Sequence, residues 1–272
     1  MPLQAKKSLG QHFLNSKHVL EQIISAAEIK KGEIVVEIGP GTGILTRALL
    51  EREAKVIAIE KDSRINLSLL QESNNLTLIN EDVLEADLNF IISASIPPSS
   101  DKSPANYALV ANIPYYITGA ILEKFLAHEP RPNRMVLLVQ KEVADRIVAR
   151  DRKESILSIS VKAFGSPRII AKVPPGAFTP PPSVDSAILA IDNISDTHFQ
   201  TNNLDIDAFF AIVKAGFAHK RKFTVRNLES VLKPEKISEI WQKLALDPKV
   251  RAEDLTLDNW LEIAKHCPQK KP

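Results

Sequence analysis

The chain has 272 residues, 44% apolar and 25% charged, with 35 basic against 33 acidic side chains and a net charge of +2. Such a length buries one substantial core and a smaller second one, and the near-neutral balance gives no global sign of a polyanionic partner. No apolar run approaches the length that spans a bilayer, MPLQAKKSLGQHFL lacks a signal peptide's apolar centre, and the single Cys267 excludes an internal disulfide.

The six histidines are scattered and no Cys/His cluster exists, so no metal is expected and the chain reads as intracellular and cytoplasmic. The distribution of charge is more telling than its sum. Residues 1–20 contain Lys6, Lys7 and Lys17 without an acid, and residues 208–228 contain Lys214, Lys220, Arg221, Lys222 and Arg226 without one. A solvated helix face explains any single such run, whereas two suggest a nucleic-acid partner.

In chain order, Val19, Leu20, Ile23, Ile24 and Ala27 recur at helical spacing and predict an amphipathic helix over 16 to about 30, with Asn15 and Ser16 as caps. Short apolar runs then alternate with helical segments: Ile34 to Ile38, Val56 to Ile59, Leu76 to Ile79, Ala108 to Ala111 and Met135 to Val139. Runs of this length and alternation imply an α/β fold with a mostly parallel sheet covered by helices. The Pro- and Ser-rich stretch Ser93 to Asn106 is expected to be a flexible surface loop.

The first strand leads into Glu37-Ile38-Gly39-Pro40-Gly41-Thr42-Gly43 and a helix over Leu45 to Glu51. Its G-x-G-x-G spacing, preceded by an acid, differs from the G-x-G-x-x-G of dinucleotide sites and suits S-adenosylmethionine, which has no pyrophosphate to cradle. Glu60 closes the second strand 21 residues beyond Gly39, where a carboxylate accepts from ribose hydroxyls. Asp82 follows the third strand and is placed to accept from an adenine amino group. Asn112-Ile113-Pro114-Tyr115 follows the fourth; an amide, a backbone carbonyl and an aromatic ring side by side can grip the amino group of a base. Gly39, Glu60, Asp82 and Asn112 thus share the carboxyl ends of consecutive strands, the edge where open α/β sheets bind ligands.

Beyond Arg150, Ile169 to Val173 and Val184 to Ile191 read as two further strands around the stiff segment Pro174 to Pro182. Residues 193–205 are polar and aperiodic and are expected to link a domain of 1–192 to a helical domain of 206–272. In the latter, Pro234 suits a first helical turn, and Ile237, Ile240, Trp241 and Leu244 form one stripe. There are no internal repeats.

Lys7 to Leu14, Glu37 to Thr46, Glu60, Asp82, the N-I-P-Y run and Phe178 to Ser186 together resemble the ribosomal RNA adenine N6-dimethyltransferases, in order and spacing over nearly the whole chain. Within that family the chain is more similar to the small-subunit branch, which dimethylates two adjacent adenosines in the hairpin near the 3′ end of 16S rRNA, than to the large-subunit antibiotic-resistance branch.

The resemblance implies a Rossmann-like class I methyltransferase domain with a seven-stranded sheet and a small helical RNA-binding domain. It implies S-adenosylmethionine as cofactor, 16S rRNA or a small-subunit precursor as partner, and a monomer away from membranes. Carried over residue by residue, His12, Leu14, Gly39, Gly41, Glu60, Asp82 and Asn112 would hold the cofactor, and Asn112, Ile113, Pro114 and Tyr115 would carry the chemistry. Tyr115 and Phe178 would stack on the target base, and Lys220, Arg221, Lys222 and Arg226 would meet phosphate. Position 12 departs from the family's frequent asparagine. A 23S rRNA methyltransferase and a non-catalytic RNA-binding assembly factor stand as alternatives; a nicotinamide dehydrogenase is disfavoured by the glycine spacing.

Overall fold

A computed structural model describes residues 5–6, 9–65, 67, 73–95 and 106–266. Lys7, Ser8, Cys267 and positions 96–105 of the expected Ser93 to Asn106 loop lie outside them. The elements run β1 (Phe13–Leu14), α1 (Lys17–Ala27), β2 (Ile34–Ile38), α2 (Ile44–Glu51), β3 (Lys55–Ile59), β4 (Leu76–Ile79), α3 (Leu88–Ser95), β5 (Tyr107–Asn112), α4 (Thr118–Ala127), β6 (Arg134–Gln140), α5 (Lys141–Val148), α6 (Ile156–Lys162), β7 (Ser166–Val173), β8 (Phe178–Thr179), β9 (Ser186–Asp192), α7 (Thr197–Asn202), α8 (Ile206–Gly216), α9 (Thr224–Leu228), α10 (Pro234–Lys243) and α11 (Leu257–Ala264).

Seven strands form one sheet in the order β4-β3-β2-β5-β6-β9-β7. The pairs from β4 through to β6 are parallel, and β9 returns antiparallel to β6, from Met135 opposite Ile191 to Gln140 opposite Ser186. The central β5 is sealed on both faces, with Tyr107 to Ala111 all at 0% exposure, which is why its sequence is a continuous apolar run rather than an alternating one. β2 lies between β3 and β5, so the chain moves outward through β3 and β4 and then returns to the other side of β2. That reversal opens a crevice beyond the carboxyl ends of β2 and β5.

Helix α1 buries Val19, Ile23, Ile24, Ala26 and Ala27, and the Ser16 hydroxyl accepts from the Val19 N–H. It stops at Ala27, short of the expected 30, because Glu28 turns left-handed with φ 48°. Helix α3 extends through Ser95, so the first three residues of the expected surface loop are helical. The short β1 and β8 pair antiparallel, Phe13 opposite Thr179 and Leu14 opposite Phe178, and fasten the N-terminal segment to the proline-rich loop.

Two compact units emerge: residues 1–144 with 167–194, and 145–166 with 195–272. This corrects the expected boundaries. Residues 145–166, expected in the first domain, group with the C-terminal helices, and the expected linker holds helix α7. Within the second unit Phe164, Phe199, Phe209 and Phe210 form a ring cluster with centroids 5.1 to 5.3 Å apart at the closest pairs. Gly216 ends α8 against Trp260, whose ring lies where a Cβ would stand, 2.2 Å from its Cη2. Among the described residues no helix is long and apolar enough to cross a membrane.

Candidate active site

The crevice in the first unit is an open cleft of about 920 Å³, mouth included, bounded by the N-terminal segment Leu9 to Phe13 and by the residues that follow β2, β3, β4 and β5. Gly39, Gly41, Glu60, Asp82, Asn112, Ile113, Pro114 and Tyr115, all expected from sequence, line it together. The turn after β2 places Gly39 at φ 67° and Gly41 at φ 54°, conformations that side chains rarely adopt. A Cβ on Gly41 would come within 2.9 Å of the Phe13 ring, so this glycine also lets the N-terminal segment close down on the turn.

Behind the turn Glu37 is 1% exposed. Thr46 is near enough to ease its charge but makes no geometrically sound hydrogen bond to it, and both Glu37 oxygens stay without a partner among the described residues. Burial pushes the Glu37 carboxyl up to about 8. Glu60, at the end of β3, is also buried, which raises its carboxyl, while Oε1 accepts the Asp62 N–H at 2.7 Å. Asp82 accepts from Lys61 Nζ at 2.6 Å and from the Leu84 N–H at 3.0 Å, and the Lys61 ammonium holds its carboxyl below the usual range.

The Asn112 amide donates from Nδ2 to the main-chain carbonyl of His12 at 3.0 Å. With the amino end so occupied, Oδ1 is the atom available as an acceptor. After Asn112 the chain runs through Pro114, φ −58° and ψ 132°, into a 3-10 turn over Tyr115–Ile117 in which the Pro114 carbonyl accepts from the Ile117 N–H at 3.2 Å. The Tyr115 hydroxyl is anchored 2.6 Å from Oγ of Ser186, itself fully buried at the start of β9.

The structure places several of the expected residues differently from their sequence reading. The Leu14 side chain is 4% exposed and belongs to the core; Phe13, its neighbour, lines the cleft instead. Phe178 is 2% exposed in the same core and presents no free face for a base, because its strand pairing with Leu14 turns it inward. The aromatic that does stand open is Tyr116, 65% exposed at the cleft. His12 lines the cleft, but Nδ1 donates to the Pro180 carbonyl at 2.7 Å and the ring stacks against Tyr115, centroids 5.9 Å apart at 20°.

Sequence reasoning missed Lys61, Asp62, Tyr116 and Ser186. In the second unit Lys220, Arg221, Lys222 and Arg226 are exposed on and just after the turn between α8 and α9. Arg226 pairs with Glu229 at 2.8 Å. Asn227 pins the turn from beneath, its Nδ2 donating to the carbonyls of Gly216 at 2.6 Å and His219 at 3.2 Å.

A seven-stranded sheet of this order, with a glycine turn after β2 and acids after the next two strands, defines a class I methyltransferase. A family model described as ribosomal RNA adenine dimethylase matches residues 3–269, and the chain belongs to that family. It is 40% identical over 266 residues to the ribosomal RNA small subunit methyltransferase A of Dehalococcoides mccartyi, covering 96% of this chain and 88% of that protein. It is 41% identical over 273 residues to the protein of that name in Lactiplantibacillus plantarum, covering 96% and 89%. Among solved structures, a dimethyladenosine transferase from Plasmodium falciparum is 29% identical with a TM-score of 0.73, covering 93% of this chain and 96% of that one. The 23S rRNA methyltransferase ErmE is 25% identical with a TM-score of 0.72, covering 94% and 99%.

Proposed function

We propose that this chain dimethylates the N6 amino groups of two adjacent adenosines in the 3′-terminal hairpin of 16S rRNA, with S-adenosylmethionine as donor and in support of small-subunit biogenesis. The observation that carries the reading is Asn112, oriented by the His12 carbonyl at the carboxyl end of β5, on the same cleft edge as Gly39, Glu60 and Asp82. The relatives at 40 and 41% identity carry small-subunit names, against 25% for the 23S enzyme. The chain would work in the cytoplasm as a monomer on a small-subunit precursor.

The donor site fits its ligand. Glu37 holds two buried oxygens behind the glycine turn that have no partner among the described residues, and a cationic methionyl end nearby would favour loss of its proton, while the turn admits close approach of the ligand to its backbone. Glu60 suits ribose hydroxyls and Asp82 an adenine amino group. When bound, S-adenosylmethionine supplies an electrophilic sulfonium methyl.

The protein's own task is to make a poor nucleophile available. The adenine amino nitrogen delocalises its lone pair into the ring, and two acceptors on its N–H groups draw it toward a tetrahedral geometry. Asn112 Oδ1 is one acceptor. The Pro114 carbonyl already accepts within the 3-10 turn, which favours the Ile113 carbonyl as the other. Tyr115, locked by Ser186, stacks on the flipped base, a contact worth about 1–3 kcal/mol. Fixing the amino group in this way is most of the catalysis. The methylated nitrogen releases its acidic proton to solvent, so no strong base is required. After the first transfer one N–H is gone and a single acceptor holds the monomethyl amine for the second.

The test is transfer of labelled methyl to small-subunit particles lacking the modification and to free 23S RNA, with dimethyladenosine mapped in the product. Two adjacent dimethyladenosines in the 16S hairpin support the reading; label confined to 23S RNA, or none at all, refutes it.

A further inference from the structure

Asp62 stands two residues beyond Glu60 and its side chain is 0% exposed. A carboxylate so removed from water needs donors, and Arg64 supplies a two-pronged pair, Nε to Oδ1 at 2.9 Å and Nη2 to Oδ2 at 2.6 Å. Two further donors come from far away in the chain: Lys6 Nζ at 3.2 Å and Gln11 Nε2 at 3.1 Å. The Asp62 N–H meanwhile donates to Glu60 Oε1 at 2.7 Å. Gln11 directly precedes His12, whose carbonyl orients Asn112 and whose ring lies on Tyr115. One residue therefore reaches Glu60 through its main-chain N–H and, through its buried carboxylate and Gln11, the support of Asn112.

We propose that Asp62 is a positioning residue that couples occupation of the donor site at Glu60 to the seating of the N-terminal segment 9–14 over the cleft, and thereby to the orientation of Asn112. The inference rests on the reading of Glu60 as a donor-binding acid. By reciprocity, a ligand held at Glu60 tightens the segment by as much as the seated segment tightens the ligand.

The experiment measures S-adenosylhomocysteine affinity by calorimetry and amide hydrogen exchange of residues 9–14, with and without that ligand, in the full chain, in Asp62→Asn and in Gln11→Leu. Gln11→Leu removes the contact of segment 9–14 and leaves Asp62 its Arg64 pair and Lys6, so it serves even where Asp62→Asn does not fold. The expected result is slowed exchange over 9–14 in the ligated wild type, about tenfold weaker ligand binding in Gln11→Leu, and loss of the ligand-dependent protection in that variant. Single-turnover methyl transfer at saturating donor should also fall, since the Asn112 support is loosened. In a folded Asp62→Asn, adding Gln11→Leu should cost nothing more. Wild-type affinity and protection in Gln11→Leu overturn the coupling and leave the proposed function standing. A wild-type protein that does not bind S-adenosylhomocysteine overturns the donor reading, and the coupling with it.

Discussion

The Asn112 side chain donates to the main-chain carbonyl of His12, 100 positions earlier in the chain, at 3.0 Å. The N-terminal segment thus decides which end of the amide faces the substrate. Asn112→Ala should retain part of its donor binding, because Gly39, Glu60 and Asp82 remain, and lose about 10²–10³ in the single-turnover rate of methyl transfer. Asn112→Asp keeps an acceptor but sets a carboxylate against the His12 carbonyl, so its loss should be of similar size. A wild-type rate from either variant would remove Asn112 from the chemistry.

Tyr115 carries two separable contributions. Tyr115→Phe keeps the ring but leaves the fully buried Ser186 hydroxyl unpaired, at a cost of about 1–3 kcal/mol in stability by thermal or denaturant unfolding, with a few-fold loss of kcat/KM for RNA. Tyr115→Ala also removes the stacking surface and should reduce kcat/KM by a further factor of 10 to 100, about 1–3 kcal/mol. Equal kcat/KM values for the two variants would mean that the ring does not meet the base.

The parts of the molecule legible in its sequence are those whose signal is local. β2 and β4 match their apolar runs end to end, and β3, β5 and β6 extend theirs by one residue at one or both ends; in the central strands the run is continuous because both faces are covered, whereas β4, at the edge, is only half-buried. Gly39, Glu60, Asp82 and Asn112 could be found because each closes a strand or follows one within three residues. The β1–β8 pair could not: two-residue strands have no period, and their pairing joins segments about 165 positions apart. Leu14 and Phe178 lie in recognisable motifs, but a motif does not say which way a side chain turns, and the pairing turns both inward. Asp62 and Ser186 act through partners 51 and 71 positions away. The grouping of residues 145–166 with the C-terminal helices is a matter of packing, to which composition is blind.

The turn between α8 and α9 offers a clean electrostatic test. Lys220, Arg221 and Lys222 are exposed, and none of them takes part in the ion pairs found among the described residues, whereas Arg226 is held by Glu229. Replacing the first three with Gln should leave the unfolding temperature unchanged and weaken RNA binding. It should also flatten the dependence of log K on log salt by about 0.7–0.9 for each phosphate that is no longer neutralised. Arg226→Gln should flatten it less, since that guanidinium is already shared. An unchanged slope in the triple variant would make this turn a solvated face and nothing more.

Glu37 makes stability depend on pH in a direction opposite to the other strongly shifted carboxylates. Arg64, first among its donors, holds Asp62 well below the ordinary range, and Lys243 and Lys265 hold Glu262 at about 2; these groups destabilise the protein only as pH falls through the acid range. Glu37 is raised to about 8 by burial from an ordinary value of 4.5. Between those two values the unfolded chain has lost this proton and the folded chain keeps it. Stability contributed by Glu37 is therefore intact below about 4.5, falls by about 1.4 kcal/mol per pH unit through the window, and levels off above about 8. Glu37→Gln removes the titration, so unfolding free energies measured by urea at pH 5.5 and 7.5 should converge relative to the wild type, with the variant's advantage greatest at the higher pH. The same difference between the two pH values in both proteins would show that Glu37 is ionised in the folded state, its charge met by a partner.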